Sequence, residues 1–370
     1  MFTGIFIDDD ERDFKYAESM SIAGDPGLSI SILRPDIAFV EIADHIRREK
    51  PDLLALDFRL DEVLLGDAPN RYKAGPLAQL LRDYATESPA DDFPIILVSH
   101  EQKVRDFYNP DLTSHDLFDR IYEKEYLGRS GTQKEIMSLI TGYKKIIQFI
   151  GKDGLLVNLL DLNPEYCHAI NEQFIIDISQ FRAPHQVSRY VLKNIIDRVG
   201  VLLDINSVLA KLGLNHASTD IEQLKEVLRH NKIHYTGAFS EGWERWWAFR
   251  LDDFGQSLCG VSLGDLTAEE KVNCLKGKLK LELKPATSRW TNASSAYFAF
   301  ACASCNMPTE LDFSVEAYDP LPFDFIEKKR VCWKCLQTGE YKEKNLKVSQ
   351  NDRFIANKVE NGQISEESEE

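Results

Sequence analysis

At 370 residues, with 43% hydrophobic and 28% charged side chains, the chain has a globular composition and more length than one core ordinarily organises, so two or three domains are expected. A formal net charge of -16, most of it in the first 150 residues, argues against non-specific binding to nucleic acid or anionic membrane. No apolar run is long enough to span a bilayer, Asp8 to Asp10 break the first apolar run before a signal peptide could form, and four of the seven cysteines fall in C-x-x-C pairs; a cytoplasmic, membrane-free location is the expectation.

In chain order, residues 1–131 alternate short apolar runs with amphipathic stretches. The runs are Gly4-Ile5-Phe6-Ile7, Leu53-Leu54-Ala55-Leu56, Ile95-Ile96-Leu97-Val98 and the short Arg120-Ile121-Tyr122-Glu123. Helical spacing links Ile42, Ala43 and Ile46, and again Leu77, Leu80, Leu81 and Tyr84. Strands separated by helices predict an α/β domain with a parallel sheet. The polar stretch from Asp61 to Ala74 reads as a long loop. A connecting helix is expected over 132–154, with Ile136, Leu139, Ile140, Tyr143 and Ile146 on one face. Residues 155–277 read as mainly helical. Thr219 with Glu222, and Thr267 with Glu270, have capping-box spacing. From about 278 to 348 alternation such as Leu279-Lys280-Leu281-Glu282-Leu283 predicts a small β-rich domain, and 349–370 a disordered acidic tail.

The first domain carries chemistry at its strand ends. Asp8 and Asp9 follow the first run, Asp57 ends the second, Ser99 ends the third and Lys124 follows the fourth. A carboxylate is a weak nucleophile toward phosphorus and needs a cation to neutralise the phosphoryl group and hold it in line. Magnesium takes oxygen ligands, typically a pair of carboxylates with water and phosphate oxygens. A lysine supplies a point positive charge and a small hydroxyl can bond a phosphoryl oxygen. These residues therefore suggest a magnesium-dependent phosphoaspartate site, with Asp8 and Asp9 for the metal, Asp57 as nucleophile, Ser99 as hydroxyl and Lys124 as cation.

The four motifs Ile5-Phe6-Ile7-Asp8-Asp9-Asp10, Pro51-Asp52-Leu53-Leu54-Ala55-Leu56-Asp57, Pro94-Ile95-Ile96-Leu97-Val98-Ser99 and Tyr122-Glu123-Lys124 closely resemble the receiver domain of two-component response regulators. The resemblance covers about residues 1–130. It implies a flavodoxin-like, doubly wound sheet of five parallel strands with the site at their carboxyl ends. It also implies phosphoryl transfer to Asp57 from a histidine kinase or phosphotransfer protein, and a backbone carbonyl of Arg59 in the magnesium shell. The chain departs from the family pattern at three places near the site. His100 stands where a small residue usually follows the hydroxyl residue. Glu125 replaces the proline that usually follows the lysine. Ile121 occupies the place of the usual switch aromatic, for which Tyr122 or Phe118 are the nearest substitutes. Asp61 replaces a common proline at the start of an extended loop.

Cys302-Ala303-Ser304-Cys305 and Cys332-Trp333-Lys334-Cys335 are two C-x-x-C knuckles separated by 26 residues, the positions 306–331. Four thiolates predict a closed structural zinc site in a ribbon-like domain. Cys167, Cys259 and Cys274 read as buried thiols. Lys328, Lys329, Arg330 and Trp333 lie where a knuckle tip could contact a partner or a nucleic-acid base. The helical stretches 207–215 and 219–228 have a helix-turn-helix outline, but acidic residues on the second favour an ordinary hairpin. The aromatic group around Trp243, Trp246 and Trp247 reads as core. No second catalytic constellation is evident. The expectation is a signalling protein, not itself an enzyme, that is phosphorylated on Asp57 and controls an interaction with a protein target, with homodimerisation open. Two alternatives stay open: a nucleic-acid-binding regulator acting through the hairpin or ribbon, and a non-phosphorylated pseudo-receiver scaffold with structural zinc.

Overall fold

The computed structural model describes residues 1–60, 73–100, 116–320 and 326–364. The predicted loop after Asp57 therefore falls largely outside the described residues. The chain divides into two compact units: residues 1–193 with 236–243, and 194–235 with 244–370. Among the described residues, no helix is long and apolar enough to cross a membrane.

The first unit is α/β. Its strands β1 (Phe2–Ile7), β2 (Leu28–Leu33), β3 (Leu53–Asp57), β4 (Ile95–Ser99) and β5 (Arg120–Glu123) form one sheet in the order β2-β1-β3-β4-β5, every neighbouring pair parallel. Every residue of β3 and β4 is buried, which explains why those strands read as continuous rather than alternating apolar runs. Helices α1 (Lys15–Met20), α2 (Phe39–Glu49) and α3 (Ala74–Glu87) fall between strands. Ile42, Ala43 and Ile46 of α2 and Leu77, Ala78 and Leu81 of α3 pack with β1, β3 and β4 in one core.

A buried polar network ties this sheet to later helices. Arg82 of α3 donates to Asp92 at 3.0 Å, to Asp119 at 2.7 Å and to the Phe93 and Leu117 carbonyls. Tyr143, on the helix Ser130–Phe149, donates its hydroxyl to Asp119 at 2.7 Å. The helix Pro184–Val191 adds His185 against Asp92 at 2.9 Å and Ser188 against Asp119 at 3.0 Å. Residues 236–243 also lie against Ser130–Phe149. Gly142 gives Phe239 its seat, because a Cβ there would come within 2.3 Å of that ring.

The second unit is mainly helical, with small two-stranded sheets. The helices Ile205–Lys211, Ile221–His230, Ala248–Cys259 and Ala268–Leu279 enclose a core containing Val208, Leu224, Trp246, Leu251 and Leu275. Trp246 and Trp247 are buried, as a core role requires. The Thr267–Glu270 capping box forms, whereas at Ile221–His230 the N-cap position falls on Asp220, not Thr219, with no side-chain cap hydrogen bond.

Three expectations need correction here. Leu279 to Leu283 is not a strand. The helix begun at Thr267 runs through Leu279, Lys280 ends it in the left-handed conformation, and Leu283 is buried without a ladder partner. Cys259 and Cys274 are not separate buried thiols. Both are half-buried and disulfide-bonded, on neighbouring helices joined by a short connection. Residues 353–360 form a helix rather than part of a disordered tail, because Ala356 and Val359, three apart, give it an apolar edge that packs with Leu336 and Tyr341.

Candidate functional site

Parallel pairing brings the strand ends together. Ile7 pairs with Leu56, Asp57 with Val98, and Ser99 with Glu123. Residues just beyond β1, at the end of β3, at the end of β4 and just beyond β5 therefore reach one edge of the sheet. Asp8, Asp9 and Asp57 are each at most 4% exposed, and one oxygen from each lies within 4.8 Å of the others. An open depression of about 440 Å³ lies above them, lined also by Asp13, His100 and Lys124.

Lys124 is the hub. Its Nζ lies 2.7 Å from Asp8 Oδ2, 2.5 Å from Asp13 Oδ2 and 2.8 Å from Asp57 Oδ1. Burial works against its charge, but Asp57 and Asp8 outweigh burial and raise its pKa. Backbone amides hold the other carboxylate oxygens: Asp10 N reaches Asp8 Oδ1 and Arg59 N reaches Asp57 Oδ2, each at 2.9 Å. Among the described residues Lys124 is shared by Asp8, Asp13 and Asp57. Burial, and then the Asp57 charge, push the Asp8 pKa up to about 6 even though Lys124 pulls it down.

The donor set suits a magnesium ion. In octahedral coordination with Mg–O near ~2.1 Å, ligand oxygens sit ~3 to ~4.2 Å apart, a spacing that Asp8, Asp9 and Asp57 can meet with small rotations. Ser99 adds an unmet hydrogen-bonding capacity. Its hydroxyl is fully buried and has no partner among the described residues.

Two of the departures from the expected pattern, His100 and Glu125, lie beside this site, whereas Asp61 lies outside the described residues. His100 Nδ1 is 2.6 Å from Glu125 Oε1, its Nε2 is 3.5 Å from Asp13 Oδ2, and the Tyr16 ring meets it edge-on. Tyr122 and Phe118 are both buried. Asp13 is the member of the site that the motifs did not expose. It lies beyond the Asp8-Asp9-Asp10 triplet, on a 3₁₀ turn (Glu11–Asp13) capped by the Asp10 side chain.

The four paired cysteines also converge. Cys302 and Cys335 Sγ lie 3.9 Å apart, Cys305 and Cys332 Sγ 4.0 Å, and all four sulfurs fall within 4.8 Å of one another. With Zn–S near ~2.3 Å a tetrahedral edge is ~3.8 Å, so this cluster could hold zinc. The Ser304 and Cys332 amides point at Cys302 Sγ at 3.4 and 3.3 Å, and Arg289 donates to Cys335 Sγ at 3.2 Å. Such donors offset the negative charge of a four-thiolate centre. Short antiparallel pairs flank it, Phe300–Ala301 with Pro308–Thr309 and Ser314–Glu316 with Arg330–Cys332.

The proposed contact surface beside the knuckle changes character. Trp333 is buried, with the rings of Trp290 and Phe313 edge-on to it, and cannot offer a stacking face. Lys328 and Arg330 pair with Glu316, while Lys329 is exposed. The helix Ile221–His230 turns Lys225 and Arg229 toward Glu222, Glu226 and Glu244. No family model matches the chain, and no curated protein matches it.

Proposed function

We propose that the chain is a response-regulator-like signalling protein whose residues 1–131, within the first unit, are a flavodoxin-like receiver. In this reading Asp57 accepts a phosphoryl group from a phosphohistidine of a histidine kinase or phosphotransfer protein. The P–N bond of the donor breaks as an Asp57 oxygen bonds to phosphorus in line, and the donor imidazole keeps the electron pair. Magnesium held by Asp8, Asp9 and Asp57, with the Arg59 carbonyl as a further ligand, would neutralise the phosphoryl oxygens. Lys124 turns from Asp57 Oδ1 toward a phosphoryl oxygen, and Ser99 donates its hydroxyl to another.

The observation that carries this reading is the convergence of Asp8, Asp9, Asp57 and Lys124 on one sheet edge beside the buried hydroxyl of Ser99, which has no partner among the described residues. Magnesium and a phosphoryl group would add a cation beside Asp8, Asp9 and Asp57 and an acceptor for the Ser99 hydroxyl, which has none among the described residues. The second unit, with a structural zinc at Cys302, Cys305, Cys332 and Cys335, carries an interaction surface for a protein target. The nucleic-acid reading is weaker, because Trp333 is buried and Lys328 and Arg330 are paired.

Incubating the full chain with a small-molecule phosphodonor and magnesium tests this. One phosphoryl group per chain is expected by intact mass, lost in Asp57→Ala and when magnesium is chelated. No mass increase over a range of donors and pH would favour the pseudo-receiver scaffold.

A further inference from the structure

The proposed site contains a histidine that phosphoryl acceptance does not use. His100 directly follows Ser99 and lines the depression above Asp57. Its Nδ1 lies 2.6 Å from Glu125 Oε1. An ionised carboxylate only accepts hydrogen bonds, so the ring proton of a neutral imidazole sits on Nδ1 and the Nε2 lone pair is free. Burial opposes ionisation of Glu125, but the His100 hydrogen bond, a backbone hydrogen bond and the His100 and Lys124 charges together lower the Glu125 pKa. Nε2 faces the depression, 3.5 Å from Asp13 Oδ2, beyond ordinary hydrogen-bond length.

Distance permits this nitrogen to act on a water attacking a phosphoryl group. The contacts from His100 Nε2 to Asp13, Lys124 and Asp57 Oδ1, of 3.5, 2.5 and 2.8 Å, share their intermediate atoms, so the two ends are at most about 9 Å apart. A water in line with the scissile P–O bond lies about 5 Å from the Asp57 oxygen, and its base a hydrogen bond further, about 8 Å away. A base held by a carboxylate on its far nitrogen is the arrangement that general-base chemistry requires.

We infer that His100, oriented by Glu125, is the general base for hydrolysis of phosphoaspartate at Asp57, so that the switch resets itself. The inference rests on the phosphoaspartate reading of this site. A water oxygen bonds to phosphorus while its proton passes to His100 Nε2. The P–O bond to Asp57 breaks, its electron pair returns to the carboxylate, and inorganic phosphate leaves. The proton on His100 then passes to solvent. Asp13, Glu125, Lys124 and Tyr16 are the titratable groups facing the ring, with Arg12 at the rim of the same depression. Asp13 is bound by Lys124, which leaves His100 as the available base.

The test loads the full chain with a radiolabelled phosphodonor, removes the donor and follows phosphoryl loss in magnesium buffer. His100→Gln should lengthen the half-life tenfold or more. Glu125→Gln should lengthen it less, as expected of a positioning residue. The wild-type rate should rise with pH through a single ionisation, while His100→Gln should be flat. Added imidazole should shorten the half-life of His100→Ala and leave His100→Gln, which has no cavity, unchanged. A purely structural His100–Glu125 pair predicts neither the pH profile nor the rescue. Equal or shorter half-lives in both His100 variants would overturn the inference while leaving the phosphoaspartate reading intact. Failure of the wild type to load would overturn both.

Discussion

Replacing Asp8 by Asn should make the metal-free protein more stable and the magnesium response weaker. In the folded chain the Asp8 pKa is raised from 3.8 to about 6, first by burial and then by the Asp57 charge. Folded protein thus holds this proton over a pH range in which the unfolded chain has released it. The associated stability is complete below about pH 4 and is lost as pH rises through about 6. The loss amounts to roughly 3 kcal/mol at pH 7.5, from a shift of about two units at about 1.4 kcal/mol each. Asparagine carries no charge at any pH and imitates the protonated acid, so Asp8→Asn should recover roughly 1 to 3 kcal/mol in chelator. Urea unfolding at pH 5 and 7.5, with chelator or with magnesium, measures all four arms. The wild type should lose stability between the two pH values in chelator and regain roughly 2 to 3 kcal/mol in magnesium at about a hundredfold excess over its dissociation constant. Asp8→Asn should show neither response at comparable size. A variant less stable than the wild type in chelator at pH 7.5, or one stabilised equally by magnesium, would refute the reasoning.

Arg82→Met should strand Asp92 and Asp119, whose side chains are each 2% exposed, and cost roughly 3 to 5 kcal/mol in urea unfolding. A loss under about 1 kcal/mol would mean that these carboxylates find other compensation. Freshly purified protein should contain one zinc per chain by elemental analysis, and Cys302→Ser should lower both zinc content and the melting temperature of the second unit. Full zinc retention in that variant would remove Cys302 from the centre.

Much of the first unit was legible because its central strands, β3 and β4, are buried on both faces. Leu53 to Leu56 and Ile95 to Val98 stand out as uninterrupted apolar runs, and each ends in a buried polar residue, Asp57 or Ser99, which an apolar core alone does not explain. The cysteine knuckles were legible because two residues are the span over which a backbone turn can present two thiolates to one ion. What the residues concealed were contacts set by register and tertiary packing. His100 and Glu125 each stood out as departures, yet their partnership depends on Ser99 pairing with Glu123 across β4 and β5. Arg82 sits among ordinary helix residues, and its carboxylate partners lie 10 and 37 positions away. Trp333 occupies a knuckle tip in sequence but is held inward by Trp290 and Phe313. Alternation over Leu279 to Leu283 imitated a strand because a helix end and an extended segment each placed a leucine on the core side.

The central claim is that Asp57 takes a phosphoryl group. Fragment mass spectrometry of the full chain, after treatment with a phosphodonor and magnesium, tests it most directly. The account predicts a single acyl phosphate on Asp57, sensitive to hydroxylamine, and no loading of Asp57→Asn. A phosphoryl group mapped to any other residue, or undiminished loading of Asp57→Asn, would contradict it.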